Sequence, residues 1–359
     1  MSELQNIRNA LNVTDVKDLK TGQGYQKRIN RLKYIIFGIL GVSALVFLAI
    51  VVLAIYNEGA GKLWNAFLSV NLFWFTLSFV TVFASYAMRF PKWEQYLKKL
   101  KVYVPRVKNF FIYMSMYSMD ITPGRWGRGV ASFTINRVTG AKFARTFPAV
   151  VADIFTDFLG FVILTLAAAP LFYVSITTSP ALLKSFTSTF TIVFIFIILL
   201  LLPFAFIYSR RAFKWFRARI GHIKFLRPIF DSGDLYYRNI KLLDSSVYVY
   251  SMLFTIPSMF LNGLALYFMI LAFGVSLSPT YIPAVLFIFT SSLIIGIVTG
   301  LPATLGITDF LLLGYLTLFF PAIDFGTASL ITIFFRVATV WFVEGFGFAF
   351  LLRTIKYWE

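Results

Sequence analysis

The sequence predicts an all-α, polytopic membrane protein of about eight transmembrane helices, with a re-entrant or interfacial helical hairpin near 106–145. Three observations carry that expectation. Of the 359 residues 59% are hydrophobic and only 13% charged, against about 25% charged in a soluble domain, so lipid is the fitting solvent for much of the chain. The apolar residues gather in long uncharged runs, and no charged residue at all occurs from Ser245 to Thr308. Finally, the formal net charge of +18 is concentrated just outside the apolar runs, at Lys27, Arg28, Arg31 and Lys33, at Lys98, Lys99 and Lys101, and from Arg210 to Arg219. That is the positive-inside pattern of cytoplasmic loops, and it argues against nucleic acid as the partner of the basic residues.

Residues 1–33 are polar and mixed in charge and read as a cytoplasmic arm, followed by one transmembrane domain over 34–359. A hydrocarbon core of about 30 Å needs about 20 helical residues. On that measure the spans are 34–56, 63–88, 147–174, 185–209, 247–274, 281–300, 305–320 and 328–352. The apolar run from Phe110 to Met119 is too short to cross and leads into a Gly- and Pro-rich break, which predicts a hairpin that dips into the membrane and returns. The segment 210–246, with Trp215 and the pair Tyr236 and Tyr237, suits amphipathic helices at the membrane surface. If 305–320 crosses, both termini are cytoplasmic and only Lys62 and Lys184 fall in outside loops. If it is re-entrant, Arg353 and Lys356 come to lie outside, against the rule.

Ionisable residues within spans are costly and usually face a cavity or a partner. Asp153, Asp157, Asp309, Arg336 and Glu344 qualify. Asp153 and Asp157, four apart, share one helix face, and Arg336 stands near mid-depth, where a structural ion pair with Asp309 or Asp157 is one reading. Two broken segments, Thr122 to Arg128 and Leu301 to Asp309, both contain Pro-x-x-x-Gly. Breaks of this kind expose backbone amides at a helix start, attract anions, and mark substrate sites in transporters when they come in pairs. Arg125, Arg128, Arg137, Lys142 and Arg145 surround the first break, and guanidinium groups match phosphate bidentately. The expected binding set is therefore Gly124, Arg125, Gly127, Arg128, Arg137 and Arg336 around a lipid phosphate, with Asp153, Asp157, Asp309 and Glu344 as charge partners. There is no Cys, and the lone His222 sits in a basic loop, so no metal site or cofactor is expected. No nucleotide-binding or hydrolase motif occurs either, and the protein is not expected to be an enzyme.

The run Ile121-Thr-Pro-Gly-Arg-Trp-Gly-Arg128, then Gly140, then 149–157, resembles the first signature of the lysylphosphatidylglycerol synthase transmembrane family, the flippase-like domain proteins. Pro302 to Asp309 resembles the second signature, Pro-x-x-x-Gly-[Ile/Val]-x-Glu, and Arg336 falls where the family carries an arginine in its last helices. Three positions depart from the pattern: Arg128 stands where a Glu is usual, Asp153-Ile154 where Glu-Arg is usual, and Asp309 replaces Glu. The resemblance implies a helical domain that moves lipids between leaflets of the cell membrane, here an anionic phospholipid or a polyprenyl-phosphate-linked lipid. Lysyl transfer, the work of a cytoplasmic domain in the synthases, is not expected. Two other functions fit the same residues: a non-transporting membrane subunit that docks a glycosyltransferase or lipid-modifying enzyme through 210–246, and an intramembrane enzyme acting on lipid phosphates.

Overall fold

The computed structural model describes residues 45, 48–177 and 179–209, then Arg211, Lys214, Trp215, Ala218 and Arg219, then 233–356. The expected arm at 1–33, most of the first expected span and about half of the surface segment 210–246 lie outside the described residues, and the described part of that segment includes the helix Gly233–Ile240. Every regular element described is helical, and six helices are long and apolar enough to cross a membrane: Leu72–Lys99, Phe143–Ile176, Pro180–Leu202, Ser245–Ala272, Pro279–Val298 and Phe325–Ile355. Two shorter apolar helices, Leu48–Glu58 and Ile307–Phe319, accompany them.

The helix starts have local causes. Asn71 Oδ1 accepts from the amides of Phe73 and Trp74, so the expected span 63–88 is divided into Ala60–Leu68 and Leu72–Met88. Asp244 and Asp324 cap Ser245–Ala272 and Phe325–Arg336 in the same way. At the other end of Leu72–Met88 the chain barely pauses: Phe90–Lys99 follows at once, with Pro91 in its first turn. The basic stretch expected as a cytoplasmic loop therefore begins as a continuation of the span, and Arg89 and Lys92 are buried in it.

In lipid, helices associate through close packing and interhelical hydrogen bonds. Leu72–Met88 lies along Ser245–Ala272, where Ser78 Oγ donates to Ala265 O (2.8 Å) and Ser85 Oγ to Asn262 Oδ1 (2.8 Å). Phe143–Ile176 packs on Ile282–Val298 through the Thr165–Thr290 hydroxyl pair (2.7 Å). The long helix Pro180–Tyr208 turns Phe194, Ile195, Ile198 and Leu199 outward, as a lipid-facing surface requires. The hairpin near 106–145 is present as Arg106–Ser115 and Val130–Thr139, joined by 3₁₀ turns at Met116–Met119 and Pro123–Gly129. Ile307–Phe319, the run at 305–320, has 13 residues, or about 20 Å of helix, well short of the roughly 30 Å hydrocarbon thickness.

Gly347 carries the last helix against the hairpin. A Cβ there would stand 2.5 Å from the backbone nitrogen of Ser118, whereas one on Gly345 would meet nothing within 4 Å. Gly347→Ala is therefore expected to lower the thermal midpoint in detergent, by the roughly 1–3 kcal/mol of an overpacked site, while Gly345→Ala leaves it unchanged.

Candidate functional site

The long helix Phe143–Ile176 presents Asp153, Thr156 and Asp157 to the buried end of Leu72–Lys99 and to the first broken segment. Four cations and three carboxylates meet there: Arg89, Lys92, Arg125 and Arg128 with Asp120, Asp153 and Asp157. Asp157 is the hub. Its Oδ1 accepts from Lys92 Nζ at 2.6 Å, and its Oδ2 from Arg89 Nη1 and Arg128 Nη1, each at 3.0 Å. Arg128 grips Asp120 bidentately through Nε and Nη2 (2.5 and 2.6 Å), and its Nη1 also donates to Asp153 Oδ2 at 2.7 Å. Lys92 Nζ stands 3.1 Å from Asp153 Oδ1, close enough for an ion pair but off the hydrogen-bonding direction. Tyr117 lies under Arg128, and the Tyr86 ring under Arg89 at 4.3 Å.

Two of the cations are incompletely satisfied. Arg89 Nη2 is buried with no hydrogen-bond partner. Arg125 reaches Asp157 and Asp120 only at 3.6 and 4.0 Å and is 16% exposed, whereas Arg128 is wholly buried. Arg125 also holds a left-handed backbone, φ 61°, costing of order 1–3 kcal/mol for a residue with a side chain.

A second, smaller cluster braces the other break. Arg336 Nε donates to Asp309 Oδ1 at 2.6 Å, and its Nη2 donates to Ala303 O at 2.8 Å. Asp309 Oδ2 accepts from the Gly306 amide at 2.7 Å, closing the start of Ile307–Phe319. These bonds hold Ala303 and Thr304, with φ 48° and 58°, in the same uncommon left-handed region as Arg125.

The two broken segments touch, and a cavity of about 70 Å³ lies between them. That volume has room for several waters, and polar side chains line it from both breaks. Arg89, Asp120 and Arg125 border it on one side, Ala303, Thr304 and Arg336 on the other, with Glu344 alongside. Three of the four non-glycine residues with left-handed backbone among the described residues line this one cleft.

The expected residues are thus sorted by geometry. Arg125, Arg336 and Glu344 border the cleft; Arg128, Asp153, Asp157 and Asp309 stand behind it as bonded partners. The Arg336–Asp309 pair is one of the two pairings the sequence suggested. Gly124 lies in the 3₁₀ turn Pro123–Gly129. The amide of Gly127 is already taken by Thr122 Oγ1 at 2.7 Å, so it offers no free donor to an anion. Arg137 is exposed and lies over Phe133, and it does not join the others. Arg145 caps the carbonyls of Leu100 and Lys101. Sequence reasoning passed over Arg89, Lys92 and Asp120. The available signal was the need of two in-face aspartates for cations, and the spacing of Arg89 and Lys92 on one helix face.

The lysylphosphatidylglycerol synthase TM region family matches residues 35–347, a stretch that contains both breaks and every residue of the two clusters. No curated protein matches the chain.

Removing one member of a buried ion cluster leaves its partners uncompensated, at roughly 3–5 kcal/mol. Asp157→Asn is expected to destabilise the protein by that amount in thermal or denaturant unfolding, because Arg89, Lys92 and Arg128 all depend on it. Arg125→Ala, whose ion pairs are long, is expected to shift the midpoint little.

Proposed function

The chain belongs to the lysylphosphatidylglycerol synthase TM region family, and from that premise we propose that it moves a lipid with a phosphate-bearing headgroup between membrane leaflets, without catalysing a reaction. The lipid is an anionic phospholipid or a polyprenyl-phosphate-linked lipid and the membrane is the cell membrane; where Ile307–Phe319 and the break before it together make one crossing, both termini face the cytoplasm, with the basic loops.

The observation that carries the reading is the polar cleft between two broken segments, bordered by cations with unfilled bonding capacity. Paired helix breaks deep in a bundle are where transporters build substrate sites. A phosphate there accepts from Arg125 and from Arg89 Nη2, in charge-assisted bonds that water and distant carboxylates supply only weakly. Arg128 and Arg336 have a different part. Their guanidinium groups are occupied by carboxylates and backbone, so they hold the two breaks in place while Arg125 meets the ligand. Each polar group along the cleft lowers the cost of carrying a headgroup past hydrocarbon, which is prohibitive for a bare charge. The cavity is small for a headgroup, so passage requires the two breaks to move apart.

A hydrogen bond to a charged group is worth roughly 1.5–3 kcal/mol, and about 1.4 kcal/mol is tenfold in rate or affinity. In proteoliposomes carrying a fluorescent phospholipid, Arg125→Ala is expected to slow transbilayer movement about tenfold or more with the fold intact. An unchanged rate counts against the site. A wild-type protein that moves none of the phosphate lipids offered, yet co-purifies with a glycosyltransferase or lipid-modifying enzyme, is a docking subunit instead.

A further inference from the structure

Glu344 is the one charged residue lining the cleft that neither cluster uses. It follows a π-helical turn, Val337–Trp341, which displaces it from the register that an unbroken helix from Arg336 would give, and π-bulges of a single turn recur at functional sites. Its side chain is half-buried and borders the cavity. Among the described residues no cation lies within 4.0 Å of its carboxylate.

The groups around it are spoken for. On the Leu72–Met88 side, Arg89 bonds Asp157, and Tyr86 lies beneath Arg89. On the hairpin packed against the last helix, Tyr113 and Tyr117 hydrogen-bond each other, and Arg106 pairs with Glu94. Lys108 belongs to that same hairpin helix, toward its start. In the breaks, Asp120 is gripped by Arg128, and Arg125 leans toward Asp157. Arg336 bonds Asp309 from the preceding helix, and Arg353, about two and a half turns beyond Glu344 on its own helix, lies over Phe111. A bare carboxylate in such a place costs several kcal/mol, and a protonated one does not.

We propose that Glu344 is a proton-carrying residue of the cleft, so that passage of the phosphate-bearing lipid is coupled to proton movement. This rests on the lipid-moving reading above. The carboxylate takes a proton from water on one side of the membrane, forming the neutral acid, and returns the same proton to water on the other side. The coupling is electrostatic. A lipid phosphate entering beside Arg89 and Arg125 brings negative charge to the cleft that Glu344 borders, so the phosphate and the proton favour each other's binding by the same factor. An ionised Glu344 repels the phosphate and competes for the arginines.

Two measurements on the full chain test this. Infrared spectroscopy in lipid nanodiscs is expected to show a protonated-carboxyl band at neutral pH that loses intensity in E344Q; a spectrum identical in the two proteins overturns the proposal whatever the protein transports. In proteoliposomes with a fluorescent phospholipid and an internal pH dye, an imposed pH gradient is expected to change the wild-type rate of lipid movement severalfold, and E344D to keep the response. E344Q, checked by its thermal midpoint to be folded, is expected to lose the response whatever its absolute rate. Lipid movement that follows the gradient equally in E344Q overturns the coupling and leaves the lipid-moving reading standing. No lipid movement by the wild type overturns that reading, while the infrared comparison still decides the state of Glu344.

Discussion

A charge inside a membrane protein must find a counter-charge, and that requirement organises this structure. Asp157 alone binds Lys92, Arg89 and Arg128, which come from the end of one span and from the hairpin break. The ionic attraction among them offsets a desolvation penalty of several kcal/mol per ion, and only a geometry that saturates most donors does so. The hairpin is therefore anchored in the bundle by ions as well as by packing. Arg128 is the anchor, with bidentate bonds to Asp120 and a third guanidinium nitrogen shared between Asp153 and Asp157.

The same requirement explains how the two breaks tolerate strained backbone. Left-handed conformations at Ala303 and Thr304 persist because Arg336 and Asp309 bind the carbonyl and amide groups that the break exposes. The counterpart at Arg125 sits one turn from the Arg128 anchor. Saturation stops at the cleft itself. Arg89 keeps a buried, unbonded nitrogen and Arg125 only long ion pairs, so the incompletely satisfied donors gather beside the cavity between the breaks. A phosphate ligand would complete that pairing, and the family to which the chain belongs has its home in lipid membranes.

Much of the architecture was legible in the sequence because lipid imposes a simple rule. Long uncharged runs became helices, with ends within a few residues of those expected for 247–274 and 281–300. The break within 63–88 was hidden, since it hangs on one side chain, Asn71, whose capping oxygen reads as an ordinary polar residue between apolar stretches. The site was half legible. Asp153, Asp157, Asp309 and Arg336 stood out because an ion in an apolar run has no other excuse. Arg89 and Lys92 did not, because a basic residue just past an apolar run serves topology in most membrane proteins, and only the facing helix reveals that these two are turned inward. Arg128 was recognised as important but not as satisfied, because its partner Asp120 precedes it by eight residues through an irregular turn that no periodicity describes.

The central claim is that residual positive charge in the cleft receives a lipid phosphate. Electron cryomicroscopy of the full chain in nanodiscs of a phospholipid bilayer tests it most directly. The account predicts headgroup density between the two breaks, with a phosphate about 2.7–2.9 Å from guanidinium nitrogens of Arg125 and Arg89. A cleft holding only water, with Arg125 closed onto Asp120 and lipid confined to the outer surface, would contradict it.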